Sequence, residues 1–434
     1  MNRTTQLRQK SMQMMGLLAG LAMLCLLSGC DTRWLYPSPK HPKTADARSS
    51  YSSLQNKDPL VNPSGTRPRN IILCIGDGMG INQVSLARDS EVGLNGRLWM
   101  ETMPYTALVS THNVSGNVTD SAAAATAIFC STKTSNGRLG TTSDGDVLVT
   151  LPERLKEEGY RIGVTVTSTI SHATPAGTAA HVPSRKMEDR IAVQMFEAGF
   201  DVLFGGGKKY WLPSSQPGGS RTDGRDLVRE ARQAGWQIVQ DKQEMDAVSS
   251  GRVIGLFQDD ALTTLPPEPS LEEMTAAALR ILSSGPSSRP FFLMVEGSQI
   301  DWGCHQNEAA KAIRQTLLFD MAIRAALEFA IQDRHTLVIV TADHETGALT
   351  LSGGKNEPGH LKPNWASQGH SGGQVPLYAY GPGAQSFTGV MDNTEISKKI
   401  AKLLGLDNFP RVEPKKRAAV SPSLEEPVYA MIVE

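Results

Sequence analysis

The residues that could do chemistry in this chain stand at the ends of apolar runs. Asp77 follows a run at 71–75, and Glu296 follows a run at 290–295, with Asp301 and His305 close behind. Asp343, His344 and Glu345 follow a run at 336–341, and His370 precedes one at 377–380. A single strand-end Asp is ordinarily a helix cap or turn residue, and a single His is ordinarily hydrogen-bonded in place. Several carboxylates on one rim would repel each other and raise their own pKa values, and cations resolve that conflict. Asp and His without thiolate suit zinc or a similar transition ion, whereas an all-oxygen set suits magnesium. Asp301 and His305 are spaced i, i+4, so one helical turn can aim both at one ion. Asp120 and Ser121 open an alanine-rich stretch, 119–127, of strong helical propensity. An N-cap explains Asp120 alone, but a Ser at a helix start beside a divalent ion can also ionise and attack phosphorus.

These residues need a scaffold that brings strand ends together. Runs at 71–75, 161–167, 202–204, 253–257, 290–295, 336–340 and 377–380 are apolar on both faces, as in a parallel sheet covered by helices. Helical patterns fall between them at 151–158, 226–234, 271–283, 307–331 and 394–404, with Gly159 and Gly235 placed to end two of them. The alternation predicts an α/β fold, doubly wound, with a mostly parallel central sheet and helices on both faces. In such sheets ligands gather at the carboxyl ends of the strands, where the acidic and histidine residues stand.

The chain has 434 residues, 40% hydrophobic and 20% charged, with a formal net charge of −1. That excludes a disordered chain, a disulfide-knotted mini-protein and a nucleic-acid binder working by bulk charge. Arg3, Arg8 and Lys10 precede an apolar run at 14–27 that is too short to span a bilayer and suits a signal peptide. The run ends in Leu27-Ser28-Gly29-Cys30, which resembles the bacterial lipoprotein box. The expectation is a signal peptide at 1–29, removed on export to the periplasm or cell envelope, and a lipid anchor on Cys30 as the sole membrane attachment. A Pro- and Ser-rich tether is expected at 30–69, a catalytic domain at 70–408 and a Pro-rich, basic tail at 409–434. Cys25 goes with the signal peptide, while Cys74 and Cys130 read as core residues.

The motifs taken together resemble the alkaline phosphatase family of metal-dependent phosphomonoesterases, in order along the chain. They are Ile75-Gly76-Asp77-Gly78-Met79-Gly80, Thr119-Asp120-Ser121-Ala122-Ala123, His172-Ala173-Thr174-Pro175 and His181-Val182-Pro183-Ser184-Arg185. Glu296-Gly297-Ser298-Gln299-Ile300-Asp301, Thr341-Ala342-Asp343-His344-Glu345 and Gly369-His370-Ser371-Gly372 complete the set. The resemblance implies hydrolysis of phosphate monoesters through a phosphoseryl intermediate on Ser121. It implies one zinc on Asp301, His305 and His370, and a second on Asp77, Asp343 and His344 beside Ser121. It implies a third site, usually magnesium, on Asp77, Thr174 and Glu296. Arg185 would clamp two phosphate oxygens, with Asp120 orienting its guanidinium, since a planar fork suits that role better than Lys. Three divalent ions against Asp77, Glu296, Asp301 and Asp343 leave two positive charges, which a dianionic monoester neutralises. The family resemblance also implies a homodimer.

The pattern departs from the enterobacterial enzyme at His172 and Trp302, which stand where that enzyme has Asp and Lys. His172 then has two readings, as a ligand of the third metal or as the holder of its water, and the third ion's identity stays open. Cys304, next to His305, reads mainly as a thiol without a metal role, and His181 as structural. Sulfatases and phosphodiesterases of the same superfamily are the nearest rivals. The alanines after Ser121 lack the sulfatase pattern, and diesterases generally lack the third metal site and the Arg. A binding protein that captures phosphate without turnover would not need Ser121.

Overall fold

The computed structural model describes Tyr51 and residues 59–285, 289–353 and 359–413. The expected signal peptide at 1–29, Cys30, most of the tether and most of the tail lie outside the described residues. Apart from Tyr51, the described residues belong to Ser53–Glu434, one of the two units into which the chain divides. No described helix is long and apolar enough to cross a membrane.

The strands, numbered along the chain, begin with β1 (Asn70–Gly76), β2 (Tyr105–Ser110), β3 (Val147–Val149), β4 (Arg161–Thr169), β5 (Val202–Gly206), β6 (Gln237–Val239), β7 (Val253–Leu256) and β8 (Phe291–Gly297). They continue with β9 (Thr336–Thr341), β10 (Glu345–Thr346), β11 (Leu349–Ser352), β12 (Lys362–Trp365), β13 (His370–Ser371), β14 (Val375–Tyr380), β15 (Gly389–Asp392) and β16 (Arg411–Glu413). Among the described residues, ten strands form one sheet in the order β15-β2-β14-β9-β1-β8-β4-β5-β7-β6. Every pairing in it is parallel except those of β14, which runs against both β2 and β9. The expected α/β architecture with a mostly parallel sheet is therefore the observed one.

The centre of the sheet follows from its sequence. All residues of β1, β8 and β9 are buried, so these strands need no polar alternation and are covered on both faces. Helices Leu271–Leu282 and Ala309–Asp333 pack on each other and against β4, β8 and β9. Ser270 opens the first of these with a capping box to Glu273. After helix Leu151–Glu157, Gly159 adopts φ 83°, and after helix Leu227–Gln233, Gly235 adopts φ 85°, left-handed positions that end a helix cheaply only with glycine.

The register brings the strand ends level. Ile75 on β1 pairs with Glu296 on β8 and with Thr341 on β9, so Asp77 emerges between Glu296 and Asp343. Because β14 runs in reverse, its start lies at the same rim, and His370 reaches that rim by preceding its strand rather than following it.

Hydrogen-bonded structure continues on both sides of 70–408. Leu60 N donates to Thr102 O (2.8 Å), Asn62 Nδ2 to Gly381 O (3.0 Å) and Arg67 Nη2 to Leu404 O (2.9 Å). Beyond 408, β16 pairs antiparallel with β3. These are bonds to backbone, which carry no apolar period and leave no trace in a hydropathy pattern.

Candidate active site

The alanine-rich helix Ser121–Cys130 is buried along its whole length. Its alanines provide helix propensity and a thin profile in a crowded interior. Asp120 caps it, Oδ1 accepting from Ala123 N at 3.0 Å. The other oxygen of Asp120 accepts from Gly137 N at 3.0 Å and lies 3.4 Å from Arg185 Nη1. The cap thus joins the helix start to Arg185. Ser121 is 3% exposed, and its Oγ lies 3.2 Å from His344 Nε2.

His344 Nε2 also lies 3.2 Å from Asp343 Oδ2 and 3.6 Å from Asp77 Oδ1. Its Nδ1 is 3.2 Å from Thr346 Oγ1, which donates to Asp301 Oδ1 at 2.5 Å. Asp343 Oδ1 accepts from Gly78 N (3.1 Å) and His344 N (2.9 Å). Gly78 is required here: its φ is +72°, and a Cβ would sit 2.8 Å from Asp301 Cα.

Asp301 and His305 lie on one short helix, Ile300–His305, with His305 Nε2 3.2 Å from Asp301 Oδ2. His370 Nε2 is 3.2 Å from His305 Nε2 and 3.7 Å from Asp301 Oδ1. The second nitrogens are held by backbone: His370 Nδ1 by Thr119 O at 2.8 Å, and His305 Nδ1 by Gln368 O. This leaves both Nε2 atoms facing inward, the arrangement in which carbonyls orient ligand imidazoles. The Asp301 hydrogen bond, against a smaller effect of burial, raises His305 to about 9. Burial acts to raise Asp301, but His305, the charge of His344 and Thr346 outweigh it and hold the carboxyl well below the usual range.

On the other side of Asp77, Glu296 Oε2 accepts from Ser298 Oγ (2.7 Å). Burial raises Glu296 to about 8, against the hydroxyls of Ser298 and Thr174 and with Asp343 adding to the rise. Thr174 is fully buried in helix Ala173–Ala176. His172 precedes that helix, receives Arg185 Nη2 on its Nε2 (3.0 Å) and meets Trp302 edge-to-face at 6.3 Å between centroids. Burial and then the Arg185 charge push His172 down to about 3, so it accepts that bond as a neutral ring.

Among the described residues, three sets place their ligand atoms within 4.8 Å of one another: Asp301, His305 and His370; Asp77, Asp301 and His344; and Asp77, His172 and Glu296. Asp301 and Asp77 each belong to two sets. Both Asp77 oxygens, Asp343 Oδ2, Glu296 Oε1 and His172 Nδ1 are buried without a hydrogen-bond partner. Burial, then Asp343, Asp301 and Glu296, raises Asp77 well above the ordinary carboxylate range. Orphaned carboxylate oxygens in a dry site cost several kcal/mol each, roughly, unless a cation answers them. Mixed Asp and His donors fit transition ions, and the set at Glu296 fits an ion that accepts oxygen and nitrogen.

Two neighbours have other roles. Cys304 is buried against Gln83 Nε2 at 3.7 Å, its thiol pushed up to about 12 by burial, and it belongs to none of these three sets. His181 Nδ1 and Nε2 lie 2.9 Å from Gly140 O and Glu153 Oε1, a structural bridge. Thr346 stands in no sequence motif, and the sequence assigns Glu345 no role of its own. Glu345 accepts from Gln83 Nε2 (2.8 Å), Ala348 N (3.1 Å) and Leu349 N (3.0 Å), and also from Ser371 Oγ. Only its place beside His344 pointed toward it.

A parallel α/β sheet with a buried serine at a helix start, carboxylates and histidines grouped for metal ions, and an Arg alongside defines a metal-dependent hydrolase of phosphate esters. The profile of the alkaline phosphatase family matches residues 68–362 and 359–406. The chain is 33% identical over 419 residues to alkaline phosphatase 4 of Bacillus subtilis strain 168, covering 77% of this chain and 88% of that protein. It is 34% identical over 421 residues to the streptomycin-6-phosphate phosphatase of Streptomyces griseus, covering 79% and 92%. The solved alkaline phosphatase of the Antarctic bacterium TAB5 superposes with a TM-score of 0.70 at 34% identity, covering 79% of this chain and 99% of that one. A His-to-Glu variant of that enzyme carries Mg in its M3 site. The chain belongs to the alkaline phosphatase family, and its activity is that of an alkaline phosphatase.

Proposed function

We propose that this enzyme hydrolyses phosphate monoesters through a phosphoserine on Ser121, with two zinc sites and a third, magnesium-type site. The observation that carries the reading is Ser121 Oγ set 3.2 Å from His344 Nε2, at the capped start of a buried helix and among unpartnered carboxylate oxygens. Asp301, His305 and His370 would hold one zinc, and Asp77, Asp343 and His344 the second. Asp77, Glu296 and Thr174 would hold the third ion, with His172 Nδ1 turned toward the same place. When bound, such ions supply Lewis-acid stabilisation of the attacking and leaving oxygens and favour an ionised serine.

The chain's own residues do the rest. Ser121 Oγ bonds to phosphorus as the ester oxygen leaves with a proton as the alcohol. Water then displaces Ser121 from phosphorus and regenerates its hydroxyl, giving inorganic phosphate. Asp120 fixes the helix start and faces Arg185, whose guanidinium binds two phosphate oxygens through both transfers. Ser298 holds one Glu296 oxygen and leaves the other free.

The decisive experiment compares a monoester such as p-nitrophenyl phosphate with a matched diester, with metal analysis of the same sample. Strong preference for the monoester, with two equivalents of zinc and one further ion, is expected. Preference for the diester, or folded metal-loaded protein without turnover, would overturn the reading.

We also propose that the enzyme is exported and held to the membrane through a lipid on Cys30. The short apolar run ending in Leu-Ser-Gly-Cys supports this. Tritiated palmitate should label the wild type and not Cys30→Ser; equal labelling of both would refute the anchor. Dimerisation is proposed on family grounds alone, and sedimentation of the purified chain decides it.

A further inference from the structure

Among the described residues, two side-chain contacts fix the Arg185 guanidinium. One is the 3.4 Å approach to Asp120 and the other is the bond to His172. The position of the guanidinium therefore depends on the backbone between 181 and 188. One side of Arg185 is tied where its N donates to Gly137 O at 2.7 Å. The other side is tied by a side chain absent from every sequence motif. Glu188 opens helix Glu188–Glu197, three residues after Arg185. Its Oε2 accepts from Thr169 Oγ1 and from Ser171 Oγ, both at 2.8 Å, and its Oε1 from Tyr210 OH at 3.1 Å.

Those three donors come from two other segments of the rim. Thr169 ends β4, and Ser171 immediately precedes His172. Tyr210 lies in the turn after β5. A closed ring results: Glu188 holds Ser171, Ser171 is bonded to His172, and His172 Nε2 receives Arg185 Nη2. Arg185 then returns to Glu188 along the chain. Neutral hydroxyls, not a Lys or Arg, meet the carboxylate among the described residues, so the contact fixes directions rather than cancelling charge. Arg221 braces the same junction, with Nη1 donating to Asp189 O (2.8 Å) and Tyr210 O (2.9 Å).

We propose that Glu188 is a positioning residue for phosphate binding, holding the Arg185 segment to the turn that carries His172 so that the guanidinium stays aimed at the substrate. The inference rests on the reading of Arg185 as the phosphate clamp. A carboxylate that merely stabilised the fold would act whether or not Arg185 were present.

The test uses the metal-loaded full chain and inorganic phosphate as the probe. The inhibition constant of phosphate, KM and kcat for p-nitrophenyl phosphate, metal content and thermal midpoint are measured for Glu188→Ala, Glu188→Gln, Arg185→Ala and the double variant with both alanines. Glu188→Ala should weaken phosphate binding about tenfold, the scale of one or two lost charge-assisted hydrogen bonds, with metal content unchanged. Glu188→Gln keeps an acceptor for the hydroxyls and should remain near wild type. In the Arg185→Ala background, Glu188→Ala should change phosphate affinity by less than about twofold, because coupled residues are not additive. An equal loss in both backgrounds, or wild-type phosphate affinity in Glu188→Ala, would overturn the proposal. If Arg185→Ala alone leaves phosphate affinity intact, the clamp reading fails and this inference with it. Should Glu188→Ala not fold, Ser171→Ala opens the same ring and must show a loss that disappears without Arg185; its persistence there would equally overturn the proposal.

Discussion

Ser121 Oγ and His344 Nε2 face each other at 3.2 Å, although 223 positions separate them in the chain. The serine therefore meets the second expected zinc set directly. Replacing Ser121 with Ala removes the oxygen proposed to attack phosphorus and leaves the carboxylates, imidazoles and Arg185 in place. Turnover should fall by about three orders of magnitude or more. Equilibrium binding of phosphate and metal content should persist, and measuring both on the same variant separates nucleophile from ligand.

The unpartnered oxygens of Asp77, Asp343 and Glu296 make cation binding a stability matter as well as a catalytic one. Each ion at about a hundred times its dissociation constant adds roughly 2.7 kcal/mol to the folded state, so two or three together add several times the effect of one. Chelation should abolish activity and lower the thermal midpoint by roughly 5 °C or more in a chain of this size. Scanning calorimetry with and without chelator checks this, and an unchanged midpoint would mean that the carboxylates are answered in some other way.

His172 offers a nitrogen where a carboxylate would favour magnesium. His172→Asp should therefore bind magnesium about tenfold more tightly at the third site, a scale typical of altered ligand surroundings. It should also weaken phosphate binding, since Arg185 loses the ring it donates to. Magnesium titration followed by metal analysis reads the first effect, and the phosphate inhibition constant the second.

His181 provides a pH test away from the metals. Both of its nitrogens face acceptors, Gly140 O and Glu153 Oε1, which suits the doubly protonated ring. Burial acts to lower its pKa, but the Glu153 carboxylate and the Gly140 carbonyl prevail and raise it above 6.5. A pKa raised in the folded state gives stability that is complete below 6.5 and lost as pH rises through the folded value. His181→Ala should therefore lower the thermal midpoint more at pH 6 than at pH 9. An equal drop at both would show that the ring acts by packing alone.

The sequence was most informative where chemistry and strand ends coincide. Asp77, Glu296, Asp301 and Asp343 each follow or close an apolar run, and a parallel sheet has one way to use such residues. Strand β14 was recognisable as a strand, but its reversed direction depends on its neighbours β2 and β9 and leaves no local mark. Strands β2, β6 and β15 are short or half-exposed, and helix Ile81–Val92 scatters its apolar residues, so none stood out by periodicity. A helix expected over 307–331 runs Ala309–Asp333, set apart from Ile300–His305 by Asn307 at φ 53°. Thr346 and Glu188 act through partners distant in the chain, Asp301 in one case and Thr169, Ser171 and Tyr210 in the other. No spacing rule reaches such pairs.

The reversed strand β14 has a consequence for the order in which the molecule can be completed. His370 comes to the rim only because the chain turns back after it, late in the fold, whereas Asp77 is in place from the first strand. A nascent or truncated chain ending before residue 370 lacks one member of the set with Asp301 and His305, whatever else it has folded. On the assignment proposed above, a chain stopped there would offer the ion of that set one donor fewer.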